Sequence, residues 1–161
     1  MNFNIEEIIE MAVQIEINGA KYYRKAAELM KANKSTSEFL DGLAKMEDNH
    51  EILFKEMKKE LSEDYKIENY DPDDIAITYL QSFADGKVFD TSSDPSKDLD
   101  GNTTIEEIIS FAIGREKDSI AFFMGLREFV PAEFGEEKIR DLILEEMSHI
   151  ILLNKKLREL A

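Results

Sequence analysis

The chain is one unit written twice. Ile5-Glu-Glu-Ile-Ile-Glu-Met-Ala-Val-Gln-Ile-Glu16 returns as Ile105-Glu-Glu-Ile-Ile-Ser-Phe-Ala-Ile-Gly-Arg-Glu116, at an offset of 100 residues. Farther along, Glu47-Asp-Asn-His50 returns as Glu146-Met-Ser-His149 at an offset of 99, so one residue was lost from a loop in between. These two tetrapeptides contain both histidines of the chain. Any fold of this sequence must therefore give two equivalent elements equivalent surroundings. Each copy carries a Glu followed by Glu-x-x-His. Together they supply four carboxylates and two imidazoles, a ligand set for two metal ions.

Four long segments carry the 3.6-residue helical period, at about 4–31, 36–61, 104–129 and 135–160. Asn4 with Glu7, and Thr104 with Glu107, fit an N-cap followed by a carboxylate at the third helical position. Ser35 with Glu38 marks a third start in the same way. The loops at Lys31–Lys34 and from Val130-Pro131 to Gly135 are short, so each half reads as an antiparallel helical hairpin, 4–61 and 104–160. Between them lies a stretch rich in Asp, Ser and Pro, residues 62–103, with room for a short helix around Ile75–Ala84. A connection of this length has a geometric use. If the second and third long helices run parallel, the chain must cross the bundle, about 38 Å for a helix of about 25 residues. The expectation is one all-α domain over 1–161, a four-helix bundle of two duplicated hairpins with one long crossover. That is the ferritin-like arrangement.

The six candidate ligands interrupt the apolar stripes of their helices. The first stripe runs Ile5, Ile8, Ile9, Ala12, then Glu16, then Ala20, Tyr23, Ala27 and Met30. The second reads Leu40, Leu43, Glu47, His50, Phe54, Met57 and Leu61. The third repeats the first through Ile105, Ile108, Ile109, Ala112, Glu116, Ile120 and Phe123. The fourth repeats the second through Ile139, Leu142, Glu146, His149, Leu153, Leu157 and Leu160. A lone carboxylate at such a position costs several kcal/mol, and four together require a shared positive partner. Their levels also agree. Glu16 lies 17 residues before Asn33, with Glu47 and His50 14 and 17 after it. Glu116 lies 16 before Ala132, with Glu146 and His149 14 and 17 after it. At about 1.5 Å per residue, all six fall within about one helical turn of each other. Two divalent ions would neutralise the four carboxylates.

Composition excludes several chemistries. The chain has no cysteine, which rules out disulfides, thiolate zinc, iron–sulfur clusters and thiol catalysis. Any metal must be held by oxygen and nitrogen, and any transferred electrons must come from another molecule or a different cofactor. The net charge of −15 argues against nucleic acid and anionic membranes as partners. No apolar run approaches the roughly 20 residues of a membrane span, and the N-terminus lacks the plan of a signal peptide. The expected location is the cytoplasm.

The two hairpins, about 110 residues with Glu16, Glu47-x-x-His50, Glu116 and Glu146-x-x-His149 at their centre, resemble the rubrerythrin branch of the ferritin-like di-iron carboxylate proteins. The resemblance implies Glu16 and Glu116 as terminal ligands, Glu47 and Glu146 as bridging ligands, and His50 and His149 as one nitrogen ligand per metal. It also implies that Tyr23, seven residues after Glu16, hydrogen-bonds near the site and takes part in catalysis, against the plainer reading that Tyr23 only packs in the core. Two features depart from the family. The position three residues after Glu116 is Ser119, where rubrerythrins usually carry a further Glu tied to peroxide reduction. The four-cysteine rubredoxin-like domain is missing.

The expected cofactor is a pair of iron ions, although nitrogen and oxygen ligands suit manganese nearly as well. The expected activity is reaction with peroxide or O2, as a peroxidase or oxidase drawing on an external electron donor such as a rubredoxin-like carrier. The expected assembly is a homodimer. Alternatives are iron binding, storage or sensing without turnover, a manganese catalase-like activity, and a metal-free structural bundle. The helical pattern ends at Ala161 with no fifth helix, which argues against a ferritin storage shell.

Overall fold

A computed structural model describes residues 5–64, 75–84, 93–130 and 132–160. The Asn4 cap, the Asp71–Asp74 run, Thr91 and Pro131 fall outside them. Five helices follow in order: α1 (Ile5–Leu29), α2 (Lys34–Asp64), α3 (Ile75–Ala84), α4 (Ile105–Phe129) and α5 (Glu136–Leu160). Short 3-10 turns sit at Pro95–Asp98 and Ala132–Phe134. The described residues form no strand, and none of the helices is long and apolar enough to cross a membrane.

Local chemistry sets the helix ends. At the start of α4, Thr104 Oγ1 accepts from the Glu107 N–H while the Glu107 carboxylate accepts from the Thr104 N–H, the reciprocal capping box expected there. α2 starts differently from the Ser35 expectation. Asn33 Oδ1 accepts from the Thr36 N–H at 3.1 Å, so Asn33 is the cap and the helix opens at Lys34. Ser37 Oγ instead donates to the Ala27 carbonyl at 2.8 Å and ties the start of α2 to the end of α1. The tight entry into α5 uses Gly135, whose φ of 119° suits a residue without Cβ.

The apolar stripes bury as two clusters at opposite ends of the bundle. One joins Ile5, Ile8 and Ile9 of α1 to Phe122, Phe123 and Leu126 of α4, with Phe54, Met57 and Ile139. The other joins Tyr22, Tyr23 and Ala26 to Ile108, Ile109 and Ala112, with Leu40, Leu43 and Leu153. The beginning of α1 thus meets the end of α4, and the two helices are antiparallel. Because α1 is also antiparallel to α2 across its short loop, α2 and α4 run parallel. The connection between them must travel the length of the bundle, which is the ferritin-like topology. Along the way α3 packs on α4, burying Leu80 and Phe83. Tyr79 donates to the Ala121 carbonyl at 2.8 Å, and its ring lies where a Gly125 side chain would be. The Pro95 turn then packs on α1, where buried Asn18 donates to the Ser93 carbonyl at 3.0 Å.

Candidate metal centre

Between the two apolar clusters lies a layer of buried polar residues: Glu16, Glu47, His50, Glu116, Glu146 and His149. All six candidates meet there, with Glu16 and Glu146 fully buried. His50 Nδ1 lies 2.8 Å from Glu146 Oε1 and 3.4 Å from Glu16 Oε2. His149 Nδ1 lies 3.0 Å from Glu146 Oε2, 3.2 Å from Glu47 Oε1 and 3.5 Å from Glu116 Oε1. The two rings stack with centroids 5.7 Å apart and planes 19° from parallel. The arrangement follows the internal duplication.

The donors form two groups, Glu16–Glu47–His50–Glu146 and Glu47–Glu116–Glu146–His149. Within each group the donor atoms lie within 4.8 Å of one another, and Glu47 and Glu146 belong to both. Each group could hold one cation. Several of these atoms are close yet misdirected for hydrogen bonds. Among the described residues, both oxygens of Glu16 and of Glu146, Glu47 Oε1 and the Nδ1 atoms of both histidines are buried without a hydrogen-bond partner. A buried orphan of this kind costs about 1–3 kcal/mol, and more when charged. So many in one layer fit a site whose partners are ions rather than side chains.

The electrostatics agree. Burial, reinforced by the Glu47 charge, pushes the carboxyls of Glu16 and Glu116 well above the ordinary range. Burial and the Glu146 charge also raise Glu47. Burial alone would raise Glu146 as well, but the two imidazoles beside it prevail and hold it below the usual carboxylate range. Burial would lower both histidines, yet the carboxylates around them outweigh it and push each to about 12.

Tyr23 Oη donates to Glu116 Oε1. Its phenol is pushed well above its ordinary range by burial and by the Glu116 charge. Tyr22 and Phe122 are buried in the core. A pocket between α1 and α4, lined by Gly19, Tyr23, Glu47, Arg115, Glu116 and Ser119, reaches the carboxylates. Arg115, half-buried on α4, forms part of its wall. Two further residues serve the layer. Gly19 lets Glu47 approach α1, since a Cβ there would lie 2.6 Å from Glu47 Oε2. Glu145, next to Glu146 on α5, accepts from His50 Nε2 at 2.9 Å. Asp48, next to Glu47 on α2, instead pairs with Arg24 of α1.

An antiparallel four-helix bundle with a long crossover and a buried Glu/Glu-x-x-His layer defines the ferritin-like carboxylate class. The model of the Rubrerythrin family matches residues 7–157, and the chain belongs to that family. The fold is also similar to the crystal structure of a putative ferritin-like diiron-carboxylate protein from Thermotoga maritima. That likeness has a TM-score of 0.71 at 21% identity and covers 99% of this chain and 97% of the other. A search of curated proteins finds no match.

Proposed function

We propose that the protein is a di-iron redox protein that reacts with peroxide or O2 in the pocket between α1 and α4. The observation that carries this reading is the set of buried, unpartnered oxygen and nitrogen atoms converging from both hairpins. Glu16 and Glu116 would be the terminal ligands, Glu47 and Glu146 the shared ones, and His50 and His149 the nitrogen ligands. When bound, two ferrous ions would supply two electrons, one each, to cleave an O–O bond and become ferric.

The chain's own groups do the rest. Gly19 and Ser119 keep the pocket open to a small oxidant, while the apolar clusters above and below exclude bulk water. Tyr23 Oη keeps its own proton directed at Glu116 Oε1, at the edge of the pocket where a product oxygen would need one. With no cysteine, the chain holds no second redox group of the rubredoxin type, so reducing equivalents would come from an external carrier. A cytoplasmic homodimer is the setting this reading implies.

Metal analysis of protein purified without chelator tests the centre. Two irons per chain are expected, and neither iron nor manganese retained or taken up would overturn the reading. Peroxide added to the anaerobically reduced protein tests the reaction, through the near-ultraviolet absorption of ferric iron. Ser119 favours a second reading, iron binding with slow turnover, because the family's extra carboxylate is absent. Ser119→Glu separates the two: faster peroxide consumption in that variant would place the native protein on the slow side.

A further inference from the structure

The duplication is broken at one atom pair beside the metal layer. His50 Nε2 donates to Glu145 Oε2 at 2.9 Å, a bond from the first hairpin to the second. His149 occupies the equivalent place, yet its Nε2 is buried without a hydrogen-bond partner among the described residues. Sequence accounts for the difference. The residue equivalent to Glu145 under the 99-residue offset is Met46, whose thioether offers no carboxylate.

A ligating imidazole whose other ring N–H meets a carboxylate is fixed in tautomer and orientation and becomes a stronger donor. Among the described residues, only His50 has this support. Resting on the metal-centre reading above, we propose that Glu145 makes the two positions unequal: the one served by Glu16 and His50 loads first and holds its ion more tightly than the one served by Glu116 and His149. Glu145 touches no metal in this scheme. It is a positioning residue acting through His50. Because its side chain is 62% exposed, its effect belongs at the lower end of the usual range, about tenfold in affinity.

The experiment uses Co2+ with the metal-free full chain, followed by calorimetry. Glu116→Ala leaves the His50 position as the intact one, and Glu16→Ala leaves the His149 position. In the Glu116→Ala background, Glu145→Gln should weaken Co2+ binding by about tenfold, and in the Glu16→Ala background by less than about twofold. Equal effects in both backgrounds, or none in either, would overturn the proposal while leaving the metal centre standing. If either background fails to fold, the otherwise unmutated chain is titrated against Glu145→Gln. The first of two steps should then weaken about tenfold with the second unchanged, and two unchanged steps overturn the proposal. No Co2+ binding by the unmutated chain would instead sink the metal-centre reading beneath it.

Discussion

Gly19 and Glu47 meet across the first hairpin so closely that a methyl group on the Gly19 Cα would lie 2.6 Å from Glu47 Oε2. In the metal-free chain the carboxylate is the end of a flexible side chain and can move aside. Alanine is a better helix former than glycine by about 1 kcal/mol, so Gly19→Ala should leave the metal-free fold as stable or more so. With metal, Glu47 has no such freedom. Overpacking of about 1–3 kcal/mol would then appear as roughly a 5- to 150-fold loss of affinity. Melting temperature without metal and a metal titration check the two halves. A loss of metal-free stability with unchanged affinity would refute the argument.

Glu47 and Glu146 are shared by both donor groups, so removing either should damage both positions. At metal concentrations of about 100 Kd, each filled site stabilises the fold by about 2.7 kcal/mol. For a chain of this size that is a rise in Tm of about 5–10 °C. Glu47→Ala and Glu146→Ala should abolish most of this metal-dependent rise, as scanning calorimetry with and without Fe2+ or Mn2+ would report.

If the two histidines hold the metals, protons and metals compete for the same nitrogens. Each imidazole, ordinarily at 6.5, is held at about 12 in the metal-free fold. Raised pKa values stabilise the fold fully below the ordinary value, and that contribution is lost as pH rises toward the folded one. Glu16 and Glu116, also raised, act with the same sign from 4.5 upward, whereas the lowered Glu146 stabilises above 4.5 and loses its contribution in acid. The Tm of metal-free protein should therefore fall between about pH 6 and about pH 9, while metal affinity rises over the same interval. Proton release on loading, measured by calorimetry in buffers of different ionisation enthalpy, should be at least about two per chain near neutrality.

Tyr23→Phe removes the hydrogen bond donated to Glu116 and leaves a buried carboxylate oxygen short of a partner. The expected cost is about 1–3 kcal/mol, with both metals still bound. If Tyr23 holds a proton for the reaction, oxidation of the reduced protein by peroxide should slow as well. An unchanged oxidation rate would reduce Tyr23 to a packing and anchoring role.

The meeting of the six residues in one buried polar layer was legible because each interrupts an apolar stripe, and buried charge at a core position has few explanations. The crossover helix was legible as the apolar run from Ile75 to Ala84, but its resting place was not. That depends on the missing side chain of Gly125, which only a neighbouring helix reveals as a seat for Tyr79. Asn33 and Ser35 are both good caps, and the reach of Asn33 Oδ1 decided between them. Glu145 was missed because it lies outside the periodic stripe and acts between hairpins, where helical spacing carries no information. The one available signal was its mismatch with Met46 under the 99-residue offset.

The crossover has a consequence beyond topology. Two identical hairpins associating about a two-fold axis must present the same residue at both equivalent positions, so any change made on one side is made on both. Joining them end to end removes that constraint. Glu145 can differ from Met46, and Ser119 from Gly19, each altering one half of the layer while the other keeps its form. A single continuous chain is thus free to evolve a polarity, an inner and an outer side, that no symmetric pair of hairpins could acquire.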